Sequence, residues 1–168
     1  MVKTSSQLKN IVEDWIKTTN VKYKDTTKIM QEKSSILDWQ FVAGEALHVT
    51  KIKDRDDRIN IHMASQFTPE ISSKLTVGVD VVENMVNELN AFVITNGLKI
   101  IWNVQKGLIT GFAIKSYIDS DELDRPSFYH KWDRTINVSG HVQSNLIRFA
   151  NPTQAQTTTE ISDSTMYQ

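Results

Sequence analysis

The sequence predicts an α+β fold: a helix, a three-stranded antiparallel meander, a second helix, a β-hairpin and a long C-terminal helix. Three observations predict it. Apolar residues recur at helical spacing in three segments, they alternate with polar residues in the segments between, and turn-forming residues separate the two patterns. A chain of 168 residues can bury a core of its own. We therefore predict one α+β domain over residues 1–151 and a flexible polar tail over residues 152–168.

The first helix is expected from about Ser6 to Thr19, because its apolar residues fall on one face. They are Leu8, Ile11, Val12, Trp15 and Ile16. The segment 21–35 follows, which is polar and contains the lysines Lys22, Lys24, Lys28 and Lys33. We interpret this segment as a lysine-rich loop with room for a short irregular piece around Ile29 and Met30.

Three strands are expected between Ile36 and Phe67, because large apolar residues occupy alternate positions there. These residues are Leu37, Trp39, Phe41, Leu47, Val49, Ile59, Ile61 and Met63. The polar residues between them predict one solvated face, which is typical of an antiparallel meander.

Two histidines lie on successive strands of this meander. Counted from a turn over residues 54–57, His48 pairs with Met63, and His62 pairs with Val49. This register places the two imidazoles on opposite faces of the sheet. We therefore interpret them as exposed strand residues rather than as a pair of metal ligands.

The second helix is expected over residues 80–96, and its apolar stripe is wider than a surface helix needs. A stripe of this width fits both a core and a dimer interface. The candidate residues of a dimer seam are Val82, Met85, Leu89 and Phe92.

A hairpin over residues 99–118 leads to the last helix, which is expected over residues 126–151. Gly140 in the middle of this helix suggests a kink or a close crossing over the sheet. The polar side of the helix carries a row of mostly hydrogen-bond donors that could receive an anion or an acidic partner. The candidate residues of this polar ridge are His130, Arg134, His141 and Arg148.

Composition excludes several classes of site. The chain contains no cysteine, which removes disulfides, thiolate zinc sites, iron–sulfur clusters and cysteine nucleophiles. Its formal net charge of −1 provides no overall field that would attract nucleic acid or an acidic membrane. The N-terminal segment lacks the apolar core of a signal peptide, and no apolar run reaches the roughly 18 residues of a membrane span. We therefore expect a cytoplasmic protein outside the membrane.

No motif for catalysis, metal binding or cofactor binding is present. The sequence has no G-x-S-x-G elbow, no phosphate-binding glycine loop and no H-E-x-x-H. The acidic segment 119–124 has Leu123 and Asp124 where a calcium-binding EF-hand loop needs an oxygen ligand and a glycine. Its acids are therefore interpreted as stabilising the start of the last helix. We expect no cofactor and no metal, while an active site assembled from distant residues stays open.

The order of elements resembles that of the type III secretion chaperones and of uncharacterised archaeal and bacterial proteins with the same architecture. The resemblance covers about residues 5–150. It rests on QLKNIVEDWIK in the first helix, VENMVNELNAFVITNG in the second, and GFAIKSYI with LDRPSFYHKW where the hairpin leads into the last helix. It implies a compact domain that dimerises through its second helix and the neighbouring strands, and that acts by binding.

The leading hypothesis is a non-enzymatic protein-binding or chaperone-like module that acts as a homodimer and binds a protein or peptide. The alternative is a nucleic-acid- or anion-binding protein that uses the polar ridge of the last helix or the lysine-rich segment 21–35. An enzyme of unrecognised type is the third hypothesis.

Overall fold

The computed structural model describes residues 3–53 and 58–152, and it confirms the α+β fold class. The predicted turn over residues 54–57 and nearly all of the predicted tail lie outside the described residues. In chain order the elements are α1 (Ser5–Lys17), β1 (Tyr23–Asp25), α2 (Thr27–Lys33), β2 (Leu37–Ala43), β3 (Leu47–Ile52), β4 (Arg58–Gln66), α3 (Pro69–Ser72), α4 (Asp80–Thr95), β5 (Lys99–Gln105), β6 (Leu108–Asp119) and α5 (Arg125–Ala150).

The strands form one six-stranded antiparallel sheet in the order β1-β2-β3-β4-β6-β5. The predicted meander and the predicted hairpin belong to the same sheet because β4 pairs with β6 along its whole length. This pairing runs from Arg58 opposite Asp119 to Gln66 opposite Gly111. The order leaves β1 and β5 as the two edge strands.

The segment 21–35 is not the loop that its composition predicts. Tyr23–Asp25 pairs with β2 as an edge strand, and Thr27–Lys33 forms α2. The Asp25 carboxylate accepts a hydrogen bond of 2.9 Å from the backbone N–H of Thr27 at the start of this helix. The buried residue of α2 is Thr27 rather than an apolar side chain, so the segment carries no periodic apolar pattern that sequence reasoning could recognise.

The core lies on one face of the sheet and consists of two clusters of buried side chains. In the first, α1 and the N-terminal half of α5 pack on β2, β3 and β4, and its largest members are Trp39, Phe41, Phe128 and Trp132. In the second, α4 and the C-terminal half of α5 pack on β5 and β6. Burial of one large apolar side chain contributes about 1.5–3 kcal/mol, so these clusters hold α1, α4 and α5 on the same face.

Helix α5 is unbroken from Arg125 to Ala150. Apart from the helix's own backbone, nothing lies within 4 Å of the position that a Cβ at Gly140 would occupy, so the predicted close crossing at this glycine is wrong. The helix meets the sheet elsewhere, where the hydroxyls of Thr135 and Ser116 are 3.0 Å apart and both residues are buried. Within the described ranges, no helix has the length and apolar content that crossing a membrane requires.

Candidate interaction site

Strand β5 is an edge strand with apolar side chains around it. It pairs with β6 on one side and is the last strand of the sheet order. Its other side therefore has backbone N–H and C=O groups that another strand can pair with. We call the exposed apolar residues near this edge the β5 surface; they are Val77, Ile94, Ile101 and Val104, which are 46%, 67%, 42% and 47% exposed.

A groove of about 280 Å³ lies between α4 and β5 beside the β5 surface. Val82 and Val86 of α4 line one side of it, and Trp102 of β5 lines the other. The indole N–H of Trp102 donates a hydrogen bond of 2.9 Å to the side-chain oxygen of Asn90. Because its polar atom is satisfied inside the protein, the Trp102 ring can offer apolar surface to a partner.

The predicted dimer seam on α4 points largely toward the protein interior. Val82 and Leu89 are only 3% and 5% exposed and belong to the second core cluster. Met85 and Phe92 are partly buried against the same cluster. An interface on α4 would therefore have to use other residues as well.

The large apolar side chains that α4 exposes are Val81 and Ile94. At 100° per residue, Ile94 lies on the flank of the helix that also carries Val86 and Asn90. This flank faces β5, since Asn90 binds Trp102 and Val86 lines the groove. Val81 lies on the opposite flank and is not part of the β5 surface.

The structure brings three residues of the predicted polar ridge into one open groove. His130, Arg134 and His141 line a groove of about 440 Å³ on α5, together with Phe92 from α4. Arg148 is exposed in the last turn of α5 and does not line this groove. The structure therefore shows where the four residues lie, and their use for binding an anion or an acidic partner stays a prediction.

Two of the ridge side chains make contacts within the protein. The guanidinium of Arg134 donates a hydrogen bond of 3.2 Å to the backbone carbonyl of Asn96, which is the C-cap of α4. The ring of His141 packs on Phe92 with centroids 4.2 Å apart. The carboxylate of Asp133 also lines the groove and reduces its attraction for an anion. These residues help to hold α4 against α5.

The two strand histidines lie on the same face of the sheet, and the predicted register is wrong by one residue. His48 is paired directly with His62, and Leu47 with Met63. Directly opposed residues of an antiparallel pair point to the same face. The imidazole rings stack with centroids 4.8 Å apart, and the Gln40 side-chain amide contacts Nδ1 of His48.

The surroundings of the histidine pair disfavour its protonation. Burial, the neighbouring His48 and the Lys115 ammonium lower the pKa of His62 to about 4. Burial also lowers the pKa of His48. Both rings are therefore neutral at neutral pH.

The acidic segment 119–124 makes contacts within the protein. Asp124 accepts a hydrogen bond of 2.7 Å from the backbone N–H of Ser127, and the bonds from Ser127 hold the pKa of Asp124 below its ordinary value. Asp119 forms an ion pair of 3.0 Å with Arg58. Among the described residues, no group of three or more histidine, cysteine, aspartate or glutamate side chains could hold a metal ion.

Comparison with known proteins supports the fold. No protein-family model and no curated protein matches the chain. The chain is similar to the crystal structure of an uncharacterised protein from Methanothermobacter thermautotrophicus, with 11% identity and a TM-score of 0.62 over 82% of this chain and 98% of that one. It also matches YbjN from E. coli, with 10% identity and a TM-score of 0.39 over 92% of this chain and 96% of that one. At 11% identity, the likeness to the Methanothermobacter protein shows the fold alone, and the resemblance to secretion chaperones stays a prediction.

Proposed function

We propose that the protein is a non-enzymatic protein-binding module that acts as a homodimer, in which β5 pairs with β5 of a second copy. The unpaired edge of β5 inside the exposed β5 surface is the observation that carries this proposal. A strand edge supplies hydrogen-bonding groups in register, and the apolar side chains beside it supply the area whose burial stabilises association.

The charges along β5 are compatible with a second copy as the occupant. Lys99 begins the strand and the uncharged Gln105 ends it. In an antiparallel pair with a two-fold axis near Trp102, each Lys99 lies beside the partner's Gln105 and far from the partner's Lys99. In this arrangement, the end of the groove near Val104 in one copy lies next to the apolar surface near Ile94 in the other copy.

The resemblance to secretion chaperones supports a dimer interface formed by the same elements. It implies a dimer through the second helix and the neighbouring strands, which here are α4 and β5. The exposed residues nevertheless differ from the predicted seam, because Val82 and Leu89 are buried in the protein's own core. We therefore assign the apolar contacts to the β5 surface.

Sedimentation equilibrium at tens of micromolar tests the proposal. The wild-type protein is expected at twice the chain mass of 19.2 kDa. The double variant Ile94→Asp with Val104→Asp should sediment as a monomer, because it places charge inside the interface. Val81→Asp is the matched control: this valine is 61% exposed on the other flank of α4, and its substitution should leave the dimer intact.

A wild-type monomer at this concentration contradicts the homodimer. A dimer that survives the double substitution but dissociates in Val81→Asp contradicts the β5 interface and assigns the contact to the opposite flank of α4. Circular dichroism of each variant shows that a change in mass is not a loss of folding.

A further inference from the structure

A row of six side chains, three of them lysines and two of them histidines, crosses the sheet on the face opposite the core. Each pair of neighbours in the row consists of direct cross-strand partners, so all members point to the same face. The row is Lys24, Val42, His48, His62, Lys115 and Lys99, one residue from each of the six strands. At about 4.8 Å between strands, the row spans roughly 24 Å.

Acids on β3 to β6 do little to balance the positive charge of this face, whereas β1 and β2 carry Asp25 and Asp38. As the structure describes them, the four strands β3 to β6 contain one acidic residue, Asp119, which is paired with Arg58. Lys99 and Lys115 are directly opposed and exposed. Opposed like charges destabilise a strand pair, and an anionic ligand would remove that repulsion.

The row lies next to groups that can stack on planar rings. Tyr117 is 53% exposed on the same face, and the Arg58 guanidinium lies over its ring at 4.5 Å. The stacked imidazoles of His48 and His62 occupy the centre of the row. Ala64 and Ala113, which flank the row on β4 and β6, are small enough for a ligand to approach the sheet closely.

We propose that this face binds single-stranded nucleic acid, with the phosphates along Lys24, Lys115 and Lys99 and a base stacked on Tyr117. A sheet face that combines exposed lysines with one exposed tyrosine ring matches a chain of phosphates whose bases are unpaired. A duplex keeps its bases stacked inside and cannot use Tyr117 in this way. The site lies on the sheet face rather than on the β5 edge, so it does not depend on the homodimer.

Fluorescence anisotropy with labelled oligo-dT and oligo-U, measured between about 50 and 200 mM salt, tests this proposal. Three phosphate contacts predict a slope of about −2 for the logarithm of the association constant against the logarithm of salt concentration. Lys99→Ala with Lys115→Ala should weaken binding about ten- to thirtyfold near 0.1 M salt and reduce the slope by about 1.4. Tyr117→Leu should weaken it about fivefold or more with little change of slope.

The matched control removes the same charge from α2. Lys28 and Lys33 are both exposed there, and Lys28→Ala with Lys33→Ala should leave affinity and slope nearly unchanged. Loss of binding in this control instead of in the Lys99 and Lys115 variant overturns the site. No binding of either oligonucleotide by the wild-type protein, or binding only to phosphatidylserine vesicles, overturns the ligand class. Thermal unfolding of each variant identifies any that do not fold.

Discussion

His48 on β3 and His62 on β4 are direct cross-strand partners whose imidazole planes are only 10° from parallel. Their closeness has an electrostatic consequence, because protonation of one ring opposes protonation of the other. The Lys115 ammonium beside His62 acts in the same direction. The pair is therefore stable as two neutral rings and is sensitive to acid.

The pKa of His62 predicts that the protein loses stability between pH 6.5 and about 4. The unfolded chain binds a proton at His62 below about pH 6.5, whereas the folded protein does so only below about 4. Stability is thus complete above pH 6.5 and falls as the pH decreases through this window, by roughly 2–3 kcal/mol from His62 alone. Urea unfolding at a series of pH values measures the loss.

The variant His62→Gln isolates this contribution, because glutamine is polar and does not titrate. Its free energy of unfolding should fall less than that of the wild-type protein between pH 7 and about 4.5. Parallel profiles for the two proteins would falsify the assignment. NMR titration of the His62 ring gives its pKa directly, and a value near 6.5 would contradict the shift.

The apolar residues of β3 and β4 were sufficient to predict the correct register between these two strands. Leu47 and Val49 on β3 and Ile59 and Ile61 on β4 all occupy odd positions and all face the core. Odd positions can share a face only if odd residues pair with odd ones, which also places the two histidines together. The predicted register followed the length of an assumed turn at residues 54–57 instead. Core patterns constrain register more strongly than turn counts do.

Other features depended on contacts that one sequence does not show. The helices α1, α4 and α5 and the strands β2 to β6 were predicted from local periodicity, whereas β1 and α2 carry no such pattern and were not. The edge position of β5 arises because β6 pairs with the distant β4, and no local pattern encodes that pairing. The row of basic residues requires all five strand registers at once, so it becomes visible only in the folded sheet.

Substitution of Gly111 in β6 is expected to cause a large loss of stability. A Cβ added at this glycine would lie 2.3 Å from the backbone oxygen of Ser65 on β4, and backbone cannot move away as a side chain can. We expect Gly111→Ala to cost about 3 kcal/mol through displacement of β4 from β6. Urea unfolding with an unchanged m-value would measure this cost.

The same substitution at Gly140 is expected to have the opposite effect on stability. It lies inside α5 with no neighbour within 4 Å of an added Cβ, so Gly140→Ala should stabilise the protein by up to about 1 kcal/mol. Equal stability of the two alanine variants would show that β4 and β6 can separate at Gly111 at little cost.

Arg134 distinguishes a structural role of the polar ridge from an anion site. Its guanidinium binds the carbonyl of Asn96 at the C-terminus of α4, where carbonyls lack partners within the helix and the helix dipole favours a cation. Arg134→Ala should therefore lower the free energy of unfolding by about 1 kcal/mol. Arg148→Ala removes the same charge from an exposed position of α5 and should change stability by less than about 0.5 kcal/mol.

The affinity for sulfate, measured by NMR titration of the two variants, completes this test. If Arg134 stabilises the C-terminus of α4, the wild-type protein and both variants should bind sulfate equally weakly. If Arg134→Ala leaves stability unchanged and abolishes a sulfate site that Arg148→Ala retains, the guanidinium is free to bind anions. The polar groove between α4 and α5 would then be a binding site rather than a helix contact, because the contact with Asn96 would contribute no stability.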